Sequence, residues 1–343
     1  MTDMGSIGEQ IKALGIPVHA FYMRRGVPDL SGIVKILRLL QKQHPHILQT
    51  WLYHADLLGL IAAKLARVPA IAWNLRCSNM DMSHYPKLSG FVVKLLAKLS
   101  SFPDAIIVNS EAGKTYHESI GYASKRWQII PNGFDLEVFH PDQQARIKLR
   151  NELGLGSDTI MIGLIARFDP MKNHMNFLHA ANLVLNRYSK KEDIHFILAG
   201  RNIDINNSEL TKAISDLELT NEVHLLGERR DISSITAALD IACSSSYGEG
   251  FPNTIGEAMA CGVTCVVTDV GDSAWVVGDT GKIVPPKNPQ AFADALLELI
   301  SMKREERQQL GKLARQRIAE RFSLDSIVHK YEVLYQGLIN KRK

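Results

Sequence analysis

Short apolar runs rich in β-branched residues alternate along the chain with stretches whose apolar residues recur every three or four positions. The runs at 47–52, 69–73, 106–108 and 127–130, and later at 159–166, 194–199, 223–226 and 263–267, have the continuous apolar character of parallel strands buried on both faces. Segments 57–66, 253–260, 290–300, 304–321 and 324–339 carry the helical period, and Ile33, Ile36, Leu37 and Leu40 repeat it earlier. A helix over 9–14 and a strand over 17–23 open the chain. Such alternation predicts parallel sheets flanked by helices, and 343 residues are enough for about two domains.

Ligands of such sheets bind at the carboxyl ends of strands, so the chemistry is sought in the loops that follow them. The richest is 244–268, which reads strand, glycine-rich turn, helix, strand. Gly248 and Gly250 bracket Glu249, Phe251 follows, and Pro252 suits a helix start because a first-turn residue needs no N–H. Gly262 can take the left-handed conformation that ends a helix. Backbone N–H groups at Asn253, Thr254, Ile255 and Gly256, with the helix dipole, favour an anion such as a diphosphate. Glu249 and Glu257 would repel that anion, but they are placed to accept hydrogen bonds from hydroxyls on either side of it. A tight turn with two solvated glutamates is the plain alternative; the glycines, the proline and the helix start weigh against it.

Other strand-end loops carry further candidates. Arg167 and Lys172 follow 159–166, where a two-pronged guanidinium and an ammonium suit a pyrophosphate. Gly200 and Arg201 follow 194–199, and Arg230 and Asp231 follow 223–226, with Asp231 expected to cap the next helix. His54 and Asp56 follow 47–52, His54 as a hydroxyl partner or a plain helix-start residue, Asp56 as a first-turn acid. Arg76 follows 69–73, facing either a ligand or solvent. The stretch 87–102 sets Leu88, Phe91, Val92, Leu95, Leu96 and Leu99 on one face and Lys87, Lys94 and Lys98 on the other. Core packing is favoured there over a membrane interface.

Charge divides unevenly. Residues 1–130 hold 15 basic against 8 acidic side chains, and 131–343 hold 25 against 28. The basic half suits an anionic membrane surface or acceptor as well as an ordinary solvated face. No apolar run approaches the roughly 20 residues of a membrane-spanning helix, and 1–9 lacks the pattern of a secretion signal. Cys77, Cys243, Cys261 and Cys265 show no metal-type pairing, and three of them sit in apolar contexts as buried small hydrophobes. A cytoplasmic location follows, with the inner membrane face as an alternative. No nucleic-acid partner is expected.

The string YGEGFPNTIGEAMACG resembles the E-x7-E signature of glycosyltransferase family 4, retaining enzymes of the GT-B fold, and IPNGFDLEVFHP, IARFDPMKNH and FILAGR agree with that family in order and spacing. The resemblance is close from 129 onward and looser before it. It implies two Rossmann-like parallel-sheet domains facing a cleft. Residues 1–141 would form the acceptor side, lacking the family's opening strand-loop-helix unit; 142–322 would bind the nucleotide sugar, with the polar, helix-like stretch 142–156 as a linker. Residues 323–343 would form a helix crossing back to the first domain. It implies transfer of a hexosyl-type sugar, with retention, from a UDP- or GDP-type donor to a hydroxyl of a lipid-linked or saccharide acceptor in surface polysaccharide or glycolipid synthesis. Glu249, His54, Arg167 and Lys172 would be catalytic. Gly250 through Ile255, Glu257, Gly200, Arg201 and Arg230 would bind the donor, with Arg201 and Arg230 toward base and ribose. Asn173 stands where the family commonly has glycine, and Gly271-Asp272 where it often has Gly-Gly before an acid. No Asp-x-Asp triplet stands at a strand end, so neither an essential metal nor a cofactor is expected. A nucleotide-sugar epimerase and a non-catalytic nucleotide-sugar-binding protein remain as rivals.

Overall fold

The computed structural model describes residues 4–23, 30–76, 87–189 and 193–340. They fall into two compact units, Met1–Ile130 with Lys330–Lys343, and Pro131–His329.

The first unit contains α1 (Gly5–Ala13), α2 (Leu30–Gln43), β1 (Ile47–Trp51), α3 (Tyr53–Ala66), β2 (Ala70–Leu75), α4 (Lys87–Leu99), β3 (Ala105–Val108), α5 (Glu111–Ser119) and β4 (Trp127–Ile129). Its four strands pair in parallel in the order β1-β2-β3-β4. β2 and β3 are buried at every position, as the apolar runs require, and Trp73, Ile106 and Leu96 are fully enclosed. The stripe on α4 packs inward through Val92 and Leu96, but Phe91 points out and is 63% exposed. Residues 17–23 have no regular structure, contrary to the predicted strand; Gly15 and Pro17 break the backbone there, and no strand among the described residues pairs with it. Cys77 lies outside the described residues, as do the side chains of Lys87 and Leu88.

The second unit contains α6 (Gln143–Leu153), β5 (Ile160–Ile165), α7 (His174–Arg187), β6 (Ile194–Ala199), α8 (Ser208–Asp216), β7 (Val223–Leu225), α9 (Ile232–Ala238), β8 (Ile241–Ser244), α10 (Asn253–Ala260), β9 (Thr264–Thr268), α11 (Ser273–Val277), β10 (Lys282–Val284), α12 (Pro289–Ser301), α13 (Arg304–Phe322) and the first residues of α14 (Leu324–Asn340). The strands are all parallel in the order β10-β9-β8-β5-β6-β7. One core lies under α7, α8 and α12, the other under α9, α10 and α13.

Two expected boundaries move. Residues 131–141 belong to the second unit: the Phe134 N–H donates to Phe322 O at 2.8 Å and the Leu324 N–H to Phe134 O at 2.9 Å. The polar stretch 142–156 is no linker. Its helix, α6, buries Ala145 and Leu149, and Arg150 donates to Thr159 O at 2.6 Å and to Asp240 Oδ2 at 2.9 Å. The polarity belongs to the outer face of a packed helix.

Candidate active site

In the second sheet the chain runs outward through β5, β6 and β7, then returns and runs the other way through β8, β9 and β10. The order therefore reverses between β5 and β8, which are adjacent (Ile162 opposite Ile241), and loops leaving such a switch point diverge and open a crevice. Arg167 and Lys172 stand on the loop after β5, and Glu249 on the loop after β8.

The two loops are tied together. The Ser245 hydroxyl donates to Lys172 O and Asn173 O, both at 3.0 Å, and the Tyr247 N–H donates to Met171 O at 3.0 Å. Lys172 Nζ donates to Glu249 Oε1 at 2.9 Å and Oε2 at 2.7 Å, with both side chains largely shielded from water. The sequence named both residues, but for different ends of a ligand; the fold makes them one ion pair. Arg167 instead donates to Asp169 Oδ2 through Nε at 3.1 Å and a terminal nitrogen at 2.9 Å, and it is exposed. Burial pushes the Asp169 carboxyl up, but the Met171 N–H, Arg167 and Lys172 outweigh it and hold the group below its ordinary range. Asn173 caps α7 at φ 51°, a left-handed conformation that asparagine tolerates well, which explains how it serves where glycine is common. Just beyond, burial lowers the His174 pKa to about 4 and leaves the ring neutral, packed 5.3 Å from the Phe168 ring.

The helix tip is α10. Its N–H groups are not all open: Asn253 donates to Phe251 O at 3.0 Å and Gly256 to Pro252 O at 3.1 Å, leaving Thr254 and Ile255 without an acceptor among the described residues. Gly262, at φ 74°, ends the helix as expected. Phe251 and Ile255 are buried, so only their main chain can meet a ligand. The Phe251 ring packs 6.1 Å from Phe134, 5.9 Å from Phe322 and 6.5 Å from Trp275, bracing the turn from behind. Asn132 Nδ2 donates to Asn253 Oδ1 at 2.6 Å. Glu257 sits half-buried one turn along α10, and burial raises its carboxyl above the ordinary range.

The turn after β9 completes the frame. The Asp272 N–H donates to Gly250 O at 3.0 Å. Gly271 has φ 55°, and a Cβ there would stand 2.2 Å from Glu249 O, so only glycine lets the two turns touch. The contribution of Gly271 and Asp272 is not legible as chemistry; the signal is a glycine three residues past a buried strand. Gly200 is under the same restriction. Its N–H donates to Gly227 O at 2.8 Å, and a Cβ would meet Ala166 O at 2.2 Å. The Phe168 N–H donates to Arg201 O at 2.9 Å, while the Arg201 and Arg230 side chains are exposed. Asp231 does not cap α9 with its side chain; Arg229 takes both its oxygens, at 2.8 and 2.7 Å, and also reaches Glu152.

In the first unit His54 is exposed at the start of α3. Asp56, far from being a solvated first-turn acid, is fully buried and accepts from the Thr50 hydroxyl at 2.5 Å. Arg76 is half-buried. It lies 4.6 Å over the Trp51 ring and donates to the Tyr331 hydroxyl at 2.7 Å.

The model for Glycosyltransferase Family 4 matches residues 5–138, and that for Glycosyl transferases group 1 matches 159–302. The chain is 24% identical over 322 residues, covering 91% of itself and 81% of its relative, to the UDP-Gal:alpha-D-GlcNAc-diphosphoundecaprenol alpha-1,3-galactosyltransferase of Escherichia coli. It is 23% identical to the capsular polysaccharide biosynthesis glycosyltransferase CapM of Staphylococcus aureus, covering 98% of itself and 90% of that protein. Among solved structures, HepE from Anabaena in complex with UDP and glucose superposes with a TM-score of 0.80 at 23% identity, over 97% of this chain and 89% of that one. A glycosyltransferase from Rickettsia africae gives 0.82 at 18% identity, over 98% and 88%. These likenesses share the GT-B fold of two parallel-sheet α/β domains. With its signature segments framing one crevice and the two models spanning most of its length, the chain belongs to glycosyltransferase family 4.

Proposed function

We propose that this glycosyltransferase moves a sugar, with retention of anomeric configuration, from a UDP- or GDP-type nucleotide sugar to a hydroxyl of a lipid-linked saccharide in surface polysaccharide or glycolipid synthesis. The observation that carries the reading is the Lys172–Glu249 pair at the switch point, next to the open N–H groups of Thr254 and Ile255. As the glycosidic bond breaks, negative charge grows on the departing diphosphate. Lys172 and those amides are fixed beforehand where it grows, and Arg167 reaches it by leaving Asp169; preorganised donors of this kind stabilise a transition state strongly. Glu249 orients the sugar through a hydroxyl and Glu257 holds the ribose. The departing phosphate takes the proton of the incoming hydroxyl on the same face of the sugar. His54 contributes a hydrogen bond near the donor sugar, and Arg201 and Arg230 serve the base and ribose.

The lipid-linked acceptor rests on the Escherichia coli relative, a galactosyltransferase whose acceptor is alpha-D-GlcNAc-diphosphoundecaprenol. Peripheral membrane contact has support from Phe91 and Leu65, 63% and 60% exposed on helices that also carry Lys64, Lys94 and Lys98. No described helix is long and apolar enough to cross a membrane. Among the described residues no group of three or more His, Cys, Asp or Glu side chains is arranged to hold a metal ion.

The test is transfer of radiolabelled sugar to a polyprenyl-diphosphate saccharide. Glu249→Ala is expected to lower the rate at least about 100-fold, roughly 3 kcal/mol of transition-state stabilisation, while calorimetry shows nucleotide diphosphate still bound. Excess EDTA is expected to leave the rate unchanged. Transfer that survives Glu249→Ala would remove that residue from the chemistry, and altered nucleotide sugar formed without acceptor would point to an epimerase.

A further inference from the structure

The amino-terminal edge of the second sheet carries a separate feature. A cavity of about 410 Å3 opens where the chain enters β8 and β9, walled by Asp240, Gly262 and one face of α13. Strands of four and five residues separate it from the candidate active site, roughly 15 Å at about 3.3 Å per residue.

Its lining is strongly basic. Five cationic side chains, Arg146, Arg304, Arg307, Lys312 and Arg315, face two carboxylates, Asp142 and Asp240. Five cations against two acids leave three positive charges in excess, and both acids already have partners. Asp142 accepts from the N–H groups of Gln144 and Ala145 at 2.8 and 3.0 Å and caps α6. Asp240 serves two arginines, Arg146 at 2.7 Å and Arg150 at 2.9 Å.

The cations also differ in kind. Arg307 donates to the carbonyls of Leu299 and Ile300, both at 3.1 Å, and to Met302 O. Arg315 donates to Phe139 O at 2.9 Å, to Leu136 O at 3.3 Å and to Ala260 O. These two fasten helix ends, but their partners are neutral, so their charge stays uncompensated. Arg304 and Lys312 have no carboxylate partner among the described residues and are exposed. The crowding of positive charge reaches the neighbouring Arg150, whose pKa is lowered by burial first and then by Arg146 and Arg304, against the pull of Asp240. Arg304 further stands in the first turn of a 19-residue helix, where the dipole adds to its charge.

We infer that this cavity is a second anion site, which binds a small phosphate-bearing ligand through Arg304 and Lys312, apart from the crevice at the switch point. A cavity of this volume is in the range of small-molecule sites, and a guanidinium fork is the side chain best shaped to take two phosphate oxygens. The phosphate could belong to a free phosphorylated sugar or to a lipid headgroup, and the chemistry of recognition is the same.

The experiment titrates the full chain with inorganic phosphate at constant ionic strength, with chloride as the control, by calorimetry. The double variant Arg304→Ala/Lys312→Ala removes two exposed side chains with no carboxylate partner, and a melting curve matching the wild type establishes that it folds. Lys172→Ala reports separately on the candidate active site. Saturable binding that the double variant weakens at least tenfold, and that Lys172→Ala leaves within twofold, is the expected result. Phosphate binding that is unchanged in the double variant, or that Lys172→Ala abolishes, would overturn the proposal. Flotation with phosphatidylglycerol and phosphatidylcholine vesicles then assigns the source. Weaker flotation of the double variant on the anionic vesicles identifies a headgroup, and equal flotation identifies a soluble phosphate compound.

Discussion

Asp56 is the residue whose chemistry departs furthest from its place in the sequence. It stands in the first turn of α3, where an acid normally stays ionised and complements the helix dipole. Instead it is fully buried, with the Thr50 hydroxyl as its one side-chain donor among the described residues, and desolvation outweighs that bond and pushes its pKa from 3.8 to about 8. The folded protein therefore holds a proton between those values that the unfolded chain has released. Stability from this group is full below about pH 4 and is lost as pH rises through about 8, with a slope of at most about 1.4 kcal/mol per pH unit. Asp56→Asn keeps the shape and cannot ionise. Urea denaturation of the pair from pH 5 to 9 is expected to show the wild type losing stability relative to the variant as pH rises. Parallel curves would mean that Asp56 is ionised throughout. At the same scale, Lys172 and Glu249 show why pairing could not be read from the string alone: 77 positions separate them, and only the reversal of strand order brings their loops together.

At the level of elements, the active-site frame is one helix tip held by three turns, from 131–134, 170–173 and 271–272. The helix itself was legible, because Pro252 and Gly262 mark its two ends by their backbone chemistry and the apolar strand follows at once. The strands were legible for the same reason, since continuous burial in a parallel sheet leaves long apolar runs. What could not be read were contacts that depend on main-chain atoms. Asn253 spends its N–H on Phe251 O, and Gly271 touches Glu249 through a carbonyl, and neither leaves a mark in residue type beyond a glycine. Helix α6 reads from the sequence as a helical linker rather than a packed element, because its outward face is so polar that the buried Ala145, Leu149 and Arg150 are outvoted. The predicted strand 17–23 failed because local β-propensity found no strand to pair with. The weight placed on Gly271 can be measured. Gly271→Ala puts a Cβ 2.2 Å from Glu249 O at a left-handed backbone position, so strain of about 1–3 kcal/mol is expected, relieved only by moving the Glu249 turn. Transfer should fall at least about tenfold while the melting temperature drops by a few degrees. Full activity with an unchanged melt would show that the turn has room that the contacts deny.

For the whole molecule, the separation of the cores decides what ligand binding can stabilise. The first unit is organised around Trp73, Leu96 and Ile106, and the second around two clusters on either face of its own sheet. Every residue proposed to grip the diphosphate, from Arg167 to Ile255, lies in the second unit. A ligand stabilises only the structure whose folding creates its site, by about 2.7 kcal/mol at a free concentration of 100 times the dissociation constant. For a unit of about 200 residues that corresponds to a rise of roughly 5–10 °C in melting temperature. Scanning calorimetry is therefore expected to show two transitions, with UDP or GDP moving one of them upward and leaving the other in place. Asp56→Asn should identify the unmoved one, because its buried carboxyl belongs to the first unit and changes that transition alone at alkaline pH. A single transition that shifts as a whole with nucleotide would mean that the two cores melt as one cooperative body. Nucleotide stabilisation would then draw on residues of both units, and the diphosphate grip could not be assigned to the second unit alone.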